Sequence, residues 1–193
     1  MATVRLQTPL DEALVRSLRI GDQVLLSGRI HTARDAAHKY LASEGTSPAT
    51  LPAGLELQGG VLYHCGPVMV RDDGGSWRVT AAGPTTSARE EPYQGEVLRR
   101  YGVRAIIGKG GMGDATRRAL AECGAVYLSA VGGAASVQRV EDVYFLEEFG
   151  SPEAMWSLFV HDFPAVVTMD STGESLHDRV LRQSSAIAEI LLR

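Results

Sequence analysis

Val103-Arg104-Ala105-Ile106-Ile107-Gly108-Lys109-Gly110-Gly111-Met112-Gly113 passes from a short apolar run into a glycine-rich loop carrying one lysine. Residues 114–123, Gly124 and the apolar run 125–131 come next. Residues 103–107 read as a short buried strand. Residues 114–123 read as a helix closed by Gly124, because glycine enters the left-handed conformation that ends a helix at no steric cost. Residues 125–131 return as a strand. Strand, glycine loop, helix and strand make a βαβ unit with a right-handed crossover between parallel strands. The expected fold class is therefore α/β, with a mixed sheet around this central unit.

Working outward, Thr8 before Pro9, with Glu12 nearby, predicts the start of a helix ending near Gly21. A strand is expected over 23–30 and a helix over 34–43, where Ala36, Ala37, Tyr40 and Leu41 recur at helical spacing. Residues 47–60 read as a long connection before a strand at 61–65. Asp72-Asp73-Gly74-Gly75 predicts the turn of a hairpin joining 69–70 to 77–81. Residues 90–101 read as a helix. Further strands are expected at 143–146, 156–160 and 165–169, with Pro164 as a break. The unit is expected to span 1–175, with 176–193 as a C-terminal amphipathic helix or extension.

The chain has 193 residues, 45% of them hydrophobic and 22% charged, which suits one sizeable core. A net charge of -4 argues against nucleic-acid binding, which needs a basic face to neutralise phosphates. No apolar run approaches the ~20 residues that span a bilayer, and the N-terminus lacks a signal-peptide core, so a cytoplasmic protein away from membranes is expected. Cys65 and Cys123 stand far apart and outside any CxxC pattern. An iron–sulfur cluster takes about three or four thiolates, so two cysteines cannot cage one unaided.

Gly83-Pro84-Thr85-Thr86-Ser87-Ala88-Arg89 sets hydroxyls and a guanidinium beside glycine. Together with Lys109 on its glycine loop it suits a small anion, since a loop opening a helix exposes N–H groups and a positive dipole end. The plainer reading makes both segments tight turns, with the hydroxyls capping the next element of the chain. Gly108 to Gly113 formally satisfies G-x-G-x-x-G, but the ribose-binding acid expected ~20 residues on is absent. A P-loop fits less well, because Gly110 succeeds Lys109 where a Ser or Thr should hold magnesium.

Taken together, several segments resemble the beta subunit of two-subunit class I fumarases and L-tartrate dehydratases, equivalent to the C-terminal domain of single-chain iron–sulfur fumarases. They are Gly21-Asp22-Gln23-Val24-Leu25-Leu26-Ser27-Gly28, Ala33-Arg34-Asp35-Ala36-Ala37-His38-Lys39, His64-Cys65-Gly66-Pro67, Ala82-Gly83-Pro84-Thr85-Thr86, Arg89-Glu90-Glu91-Pro92-Tyr93-Gln94, Gly108 to Gly113 and Val126-Tyr127-Leu128. The resemblance runs from about Leu6 to Asp170.

The resemblance implies a swivelling β/β/α domain closing over a site shared with a larger alpha partner. That partner holds a [4Fe-4S] cluster in which one iron acts as Lewis acid on the substrate hydroxyl. It implies an assembly of two alpha and two beta subunits. Thr85 falls where the family places its proposed base, and Arg34, Arg89 and Lys109 fall on substrate-binding positions. A threonine hydroxyl is a poor base alone, so a partner carboxylate or a charged network is expected to activate Thr85. Asp35, beside Arg34, is the alternative proton-transfer residue, and His38 a supporting one.

The chemistry is consistent with these types. Reversible dehydration of a C4 hydroxy-dicarboxylate requires two carboxylates to be held, a C–H proton removed and hydroxide released. Arginine holds a carboxylate through two parallel bonds and lysine supplies a compact charge. The expected function is a hydro-lyase beta subunit acting on fumarate and malate, with L-tartrate as the alternative substrate. A non-catalytic interaction domain and an NAD-binding module are the readings from other classes.

Overall fold

In the computed structural model, which describes residues 3–131 and 136–191, the expected βαβ unit is β6 (Ala105–Gly108), α4 (Asp114–Cys123) and β7 (Val126–Ala130). The two strands pair in parallel, Ala105 opposite Val126 and Gly108 opposite Ser129. Upstream lie β1 (Thr3–Gln7), α1 (Glu12–Ser17), β2 (Gln23–Thr32), α2 (Asp35–Leu41), β3 (Val61–Tyr63), β4 (Val68–Arg71), β5 (Trp77–Ala81) and α3 (Glu91–Tyr101). Downstream lie β8 (Val137–Tyr144), α5 (Leu146–Phe149), β9 (Met155–Met169) and α6 (Leu176–Leu191). Short 3-10 turns occupy Pro48–Thr50 and Ser87–Glu90.

Among the described residues the main sheet runs β1-β2-β3-β6-β7-β9-β8, parallel from β1 to β7. The long β9 pairs antiparallel with β7, with β8 and also with β2. That last pairing brings the sheet back on itself, so a mixed sheet partly closes as a barrel. Alternation along the strands serves two cores. Val61, Tyr63, Ala105, Ile107, Val126 and Leu128 join Trp156, Leu158 and Phe163 in the barrel. Leu62, Ile106 and Tyr127 point the other way, against Val97, Leu98 and Tyr101 of α3 and Ala119 and Leu120 of α4. Each fully buried Val, Leu, Ile or Phe among these contributes about 1.5–3 kcal/mol.

α3 and α4 both end at glycines in the left-handed conformation, Gly102 (φ 63°) and Gly124 (φ 66°), as the sequence predicts for Gly124. The β4–β5 hairpin is present, and Asp72 Oδ1 accepts the N–H groups of Gly74 and Ser76 at 3.0 and 2.9 Å inside its turn. Trp77 of β5 meets Trp156 edge-on, ring centres 5.0 Å apart, which anchors the hairpin to the barrel.

Several expectations are corrected. The first helix is not capped at Thr8: β1 precedes it, Thr8 N–H donates to Ser27 O at 3.1 Å in continuation of that pairing, and Asp11 caps Glu12–Ser17 by accepting from Leu14 N–H at 2.9 Å. Pro164 breaks nothing. β9 runs through it because the irregularity falls next door, where β2 shifts register between Leu26 and Gly28 opposite Phe163 and Val160, and a proline is tolerated beside a bulge. The strand expected at 143–146 begins earlier, at Val137, and gives way at Leu146 to a helical turn. The tail is helical from Leu176, docked at its first turn by His177 Nε2, 3.0 Å from Thr168 Oγ1.

Candidate active site

β2, β3 and β6 are neighbours and parallel, so their C-terminal ends open on one edge of the sheet, the edge at which open α/β sheets bind ligands. Arg34 and Asp35 come after β2, His64 to Pro67 after β3, and Lys109 after β6. The Thr85 segment, remote in sequence from all three, is stitched across them. Thr85 N–H donates to His64 O at 2.7 Å, and Ser87 N–H donates to Lys109 O at 3.1 Å. Thr86 and Lys109 form an isolated parallel bridge. Arg89 then reaches back to bond the Asp35 carboxylate. Thus Arg34, Asp35, Thr85, Arg89 and Lys109 meet on one edge although 75 residues separate the first from the last in the chain.

The cations are not equally engaged. Arg34 pairs with Glu153 at 3.2 Å, and the same carboxylate accepts from Ala36 N–H at 3.0 Å, which fixes the start of α2. The Arg34 side chain lies across Gly66, where an added Cβ would stand 2.6 Å from its Nη1 and 2.7 Å from the backbone oxygen of Pro152, and because that carbonyl cannot swing aside His64-Cys65-Gly66-Pro67 needs glycine at that position. Arg89 is held by Asp35. Lys109 is exposed and makes no ion pair among the described residues. Thr85 is half-buried, and its hydroxyl donates to His64 O at 2.9 Å, which leaves its lone pairs unengaged.

Beneath this edge lies a buried polar chain. His38 Nδ1 lies 3.0 Å from Arg34 O, and His38 Nε2 lies 2.9 Å from the Gln94 amide. The same amide atom lies 2.9 Å from His64 Nε2, and His64 Nδ1 lies 2.8 Å from Ser87 Oγ. Ser87 Oγ is in turn 2.8 Å from the Tyr127 hydroxyl. His38, His64, Ser87, Gln94 and Tyr127 are all fully buried. Burial pushes both imidazoles below their usual range, His64 furthest because His38 lies beside it.

Glu90 is also buried, 1% exposed, with Oε2 lacking a partner. Its carboxyl is pushed up to about 8, first by burial, then by a hydrogen bond and charge repulsion from Asp35, against the opposing pull of Arg89. A carboxyl whose proton is held more tightly than usual thus sits against the Asp35–Arg89 pair. Ser87, Glu90 and Tyr127 lie inside motifs but the sequence pattern gives them no role, and Glu153 lies outside every motif. Gln94 lies inside a motif, but its role depends on two histidines that reach it only through tertiary packing.

One expectation about the glycine loop is overturned. The start of α4 is not a free anion cradle, because Glu91 fills it: its carboxylate accepts from the N–H groups of Gly113, Ala115 and Thr116 at 2.8, 3.0 and 3.2 Å and from Thr116 Oγ1 at 2.7 Å. Those donors are spent on a capping carboxylate, which also leaves no place for a dinucleotide pyrophosphate. Lys109, upstream of the capped turn, is untouched by this.

A resident metal does not fit the described residues: none of their His, Cys, Asp and Glu side chains form a group of three or more arranged to hold an ion. Cys65 is sealed in the barrel core, and Cys123 ends α4 on the opposite face of the sheet. A cavity of about 420 Å³ lies elsewhere, lined by Gln7, Thr8, Arg29, His31, Arg139 and Glu141 among others, and contains none of the five site residues. The candidate site is an open edge and not an enclosed pocket. No described helix is long and apolar enough to cross a membrane.

Comparison with known proteins gives the same direction. The family model described as Fumarase C-terminus matches residues 1–180. A Geobacillus stearothermophilus protein named as a class I fumarate hydratase is 52% identical over 186 residues, 94% of this chain but 35% of that protein. A Methanocaldococcus jannaschii protein named as L(+)-tartrate dehydratase subunit beta is 42% identical over 86% of this chain and 87% of its own length. The L(+)-tartrate dehydratase subunit beta of Escherichia coli is 33% identical over 89% of this chain and 85% of its own. The chain thus spans about a third of the first relative and most of the other two. With a matching family model over nearly its whole length and a site edge built from the motifs that carry the likeness, the chain belongs to the fumarase C-terminus family.

Proposed function

We propose that this chain is the beta component of an iron–sulfur hydro-lyase that interconverts fumarate and malate, contributing half of an active site completed by an alpha partner. The observation that carries the reading is the convergence of Arg34, Arg89 and Lys109 with the Thr85 hydroxyl on one strand-end edge. A dicarboxylate presents two anions about one carbon-chain length apart, and an edge with two guanidiniums and an ammonium matches that demand. The relatives' names support the reaction class, and two of those names carry the word subunit.

In this reading Lys109 takes one substrate carboxylate, while Arg34 and Arg89 take the other by exchanging Glu153 or Asp35 for it. Thr85 is the proton-transferring group, with its hydroxyl hydrogen directed at His64 O and its lone pairs toward the substrate. A backbone carbonyl cannot accept a proton, so Thr85 gives up its own to a partner carboxylate or to a charged network around the site. Asp35 is the alternative base, and Glu90 holds a proton close by. The [4Fe-4S] cluster belongs to the partner, with a two-alpha, two-beta assembly, a swivelling β/β/α unit over 1–175, a C-terminal extension over 176–193 and a cytoplasmic setting completing the proposal.

L-tartrate is the second substrate reading, favoured by the names of the relatives that match this chain over most of their own length. The test is anaerobic reconstitution with the cluster-bearing partner, then turnover on malate, fumarate and L-tartrate. Arg89→Ala and Lys109→Ala should each reduce kcat/KM by at least thirtyfold, equivalent to about 2 kcal/mol or more for an unpaired buried carboxylate. Thr85→Ala should abolish turnover with substrate affinity retained. Undiminished turnover in Thr85→Ala removes the base assignment, and unchanged kinetics in both cation variants rejects the site.

A further inference from the structure

The buried chain under the site has a proton inventory that does not close with the Gln94 oxygen at the shared position. His38 Nδ1 faces the Arg34 carbonyl, an acceptor, and therefore carries hydrogen. An amide oxygen 2.9 Å from His38 Nε2 requires hydrogen there as well, which makes His38 a cation with no exposure to solvent. Burial opposes that charge, and outweighs the opposite pull of Asp35. The same oxygen requires hydrogen on His64 Nε2, and the amide nitrogen is left with two hydrogens and no partner at all.

Exchanging the two ends of the amide, which are assigned only by the hydrogen bonds around them, closes the inventory. The NH2 group then donates one hydrogen to His38 Nε2 and the other to His64 Nε2, so two hydrogens meet two lone pairs. His38 keeps its hydrogen on Nδ1 for Arg34 O. His64 carries its hydrogen on Nδ1 and donates to Ser87 Oγ, and Ser87 donates on to the Tyr127 oxygen. No charge is buried. The unpaired group becomes a carbonyl oxygen, which structures tolerate more readily than an unpaired N–H.

We propose that Gln94 is a positioning residue whose amide nitrogen donates to both His38 and His64, fixing the Nδ1–H tautomer of each ring and locking together the loops that carry Arg34, Thr85 and Lys109. His38 holds the Arg34 carbonyl. The His64 carbonyl holds both the N–H and the hydroxyl of Thr85, so the direction of the proposed base is set by the ring that Gln94 anchors. Ser87, gripped by the His64 ring, passes its own N–H to Lys109 O. Gln94 sits on α3, and among the described residues its side-chain hydrogen bonds go to these two rings. The catalytic part of the inference rests on the hydro-lyase reading, whereas the tautomers and the locking do not.

The test uses the full chain labelled with 15N-histidine. Long-range proton–nitrogen spectra should show His38 and His64 as neutral rings with hydrogen on Nδ1 and a bare Nε2, unchanged from pH 5.5 to 8. Either ring doubly protonated, or carrying hydrogen on Nε2, overturns the proposal. Gln94→Glu offers at most one hydrogen to the two rings and should move hydrogen onto Nε2 in at least one of them, while Gln94→Leu removes the link. In the Leu variant the Thr85 and Ser87 amides should exchange at least tenfold faster than in the parent, with the Ile106 and Leu128 amides unchanged. Equal protection of Thr85 and Ser87 in the two proteins overturns the positioning role. In the reconstituted complex, Gln94→Glu should lower kcat at least tenfold and introduce a pH dependence the parent lacks; a parent-like kcat and pH profile overturns the catalytic part. If the parent complex turns over no dicarboxylate, the hydro-lyase reading and the catalytic part fall together, and the tautomer and exchange results still decide the rest.

Discussion

Replacing Glu90 with glutamine keeps the shape of a buried carboxyl and removes its titration. Glu90 is 1% exposed and titrates near 8 instead of 4.5, because burial and Asp35 disfavour its charge more than Arg89 favours it. Between those values the folded protein keeps a proton that the unfolded chain releases, so stability falls as pH rises. The favourable condition is fully present below about pH 4.5 and is lost as pH rises through about 8. At ~1.4 kcal/mol per unit, the interval sets a ceiling of roughly 5 kcal/mol, and relaxation around the ionised group brings the expected loss to about 2–4 kcal/mol. Urea unfolding monitored by tryptophan fluorescence at pH 5, 6, 7 and 8 measures it, since Trp156 lies in the barrel core and Trp77 packs on it. The parent should lose about 2–4 kcal/mol more than Glu90→Gln across that range. Titrating groups remote from Glu90 are common to both proteins and cancel, so the difference reports Glu90 together with the Asp35 carboxylate it contacts. Parallel stability profiles would refute the claim that Glu90 is held protonated in the folded state.

Gly108→Ala places a methyl group against Ser87 Oγ and 2.7 Å from the Tyr127 hydroxyl, at the end of a central strand. It should cost about 1–3 kcal/mol in denaturant unfolding and loosen the Thr85 segment, which amide exchange at Ser87 will register. Glu91→Ala leaves three N–H groups at the start of α4 without their acceptor and should destabilise the chain by about 1–2 kcal/mol at pH 7, with a matching drop in thermal midpoint. Cys65, whose thiol burial pushes up to about 12, should resist iodoacetamide at pH 8 on a timescale on which Cys123 is labelled, as read by mass spectrometry of the native protein. Rapid labelling of Cys65 in the native state would show that the barrel opens there.

The βαβ unit, the hairpin and the helices at 91–101 and 114–123 were legible because each carries its own local signal: an apolar run, a glycine stop, or an Asp-Gly turn. β1 and the first half of β8 lack such a signal. Thr3–Gln7 has one fully buried side chain, Leu6, and exists as a strand because β2 offers it a parallel edge. Pro164 fails as a break for the same reason: its neighbours are held from both sides by β2 and β7, and the irregularity is absorbed in Leu26–Gly28.

For the candidate site, residue types put forward Thr85, Arg89 and Lys109 on the two glycine segments, the family resemblance added Arg34 and Asp35, and the fold brings all five to one edge. How they are held was not written in the residue types. That Glu91 fills the start of α4, that Glu153 and Asp35 occupy two of the cations while Lys109 stays exposed, and that burial and Asp35 push the Glu90 carboxyl up all arise from residues brought together across the fold. The sequence by itself determined the βαβ core and the functional groups on offer at the candidate site, because those depend on local periodicity, on side-chain chemistry and on motifs shared with the family. Only the tertiary structure decided which cation is available, which carboxyl is neutral and how Gln94 couples two histidines, because charge and proton positions depend on burial and on neighbours that sequence spacing does not reveal.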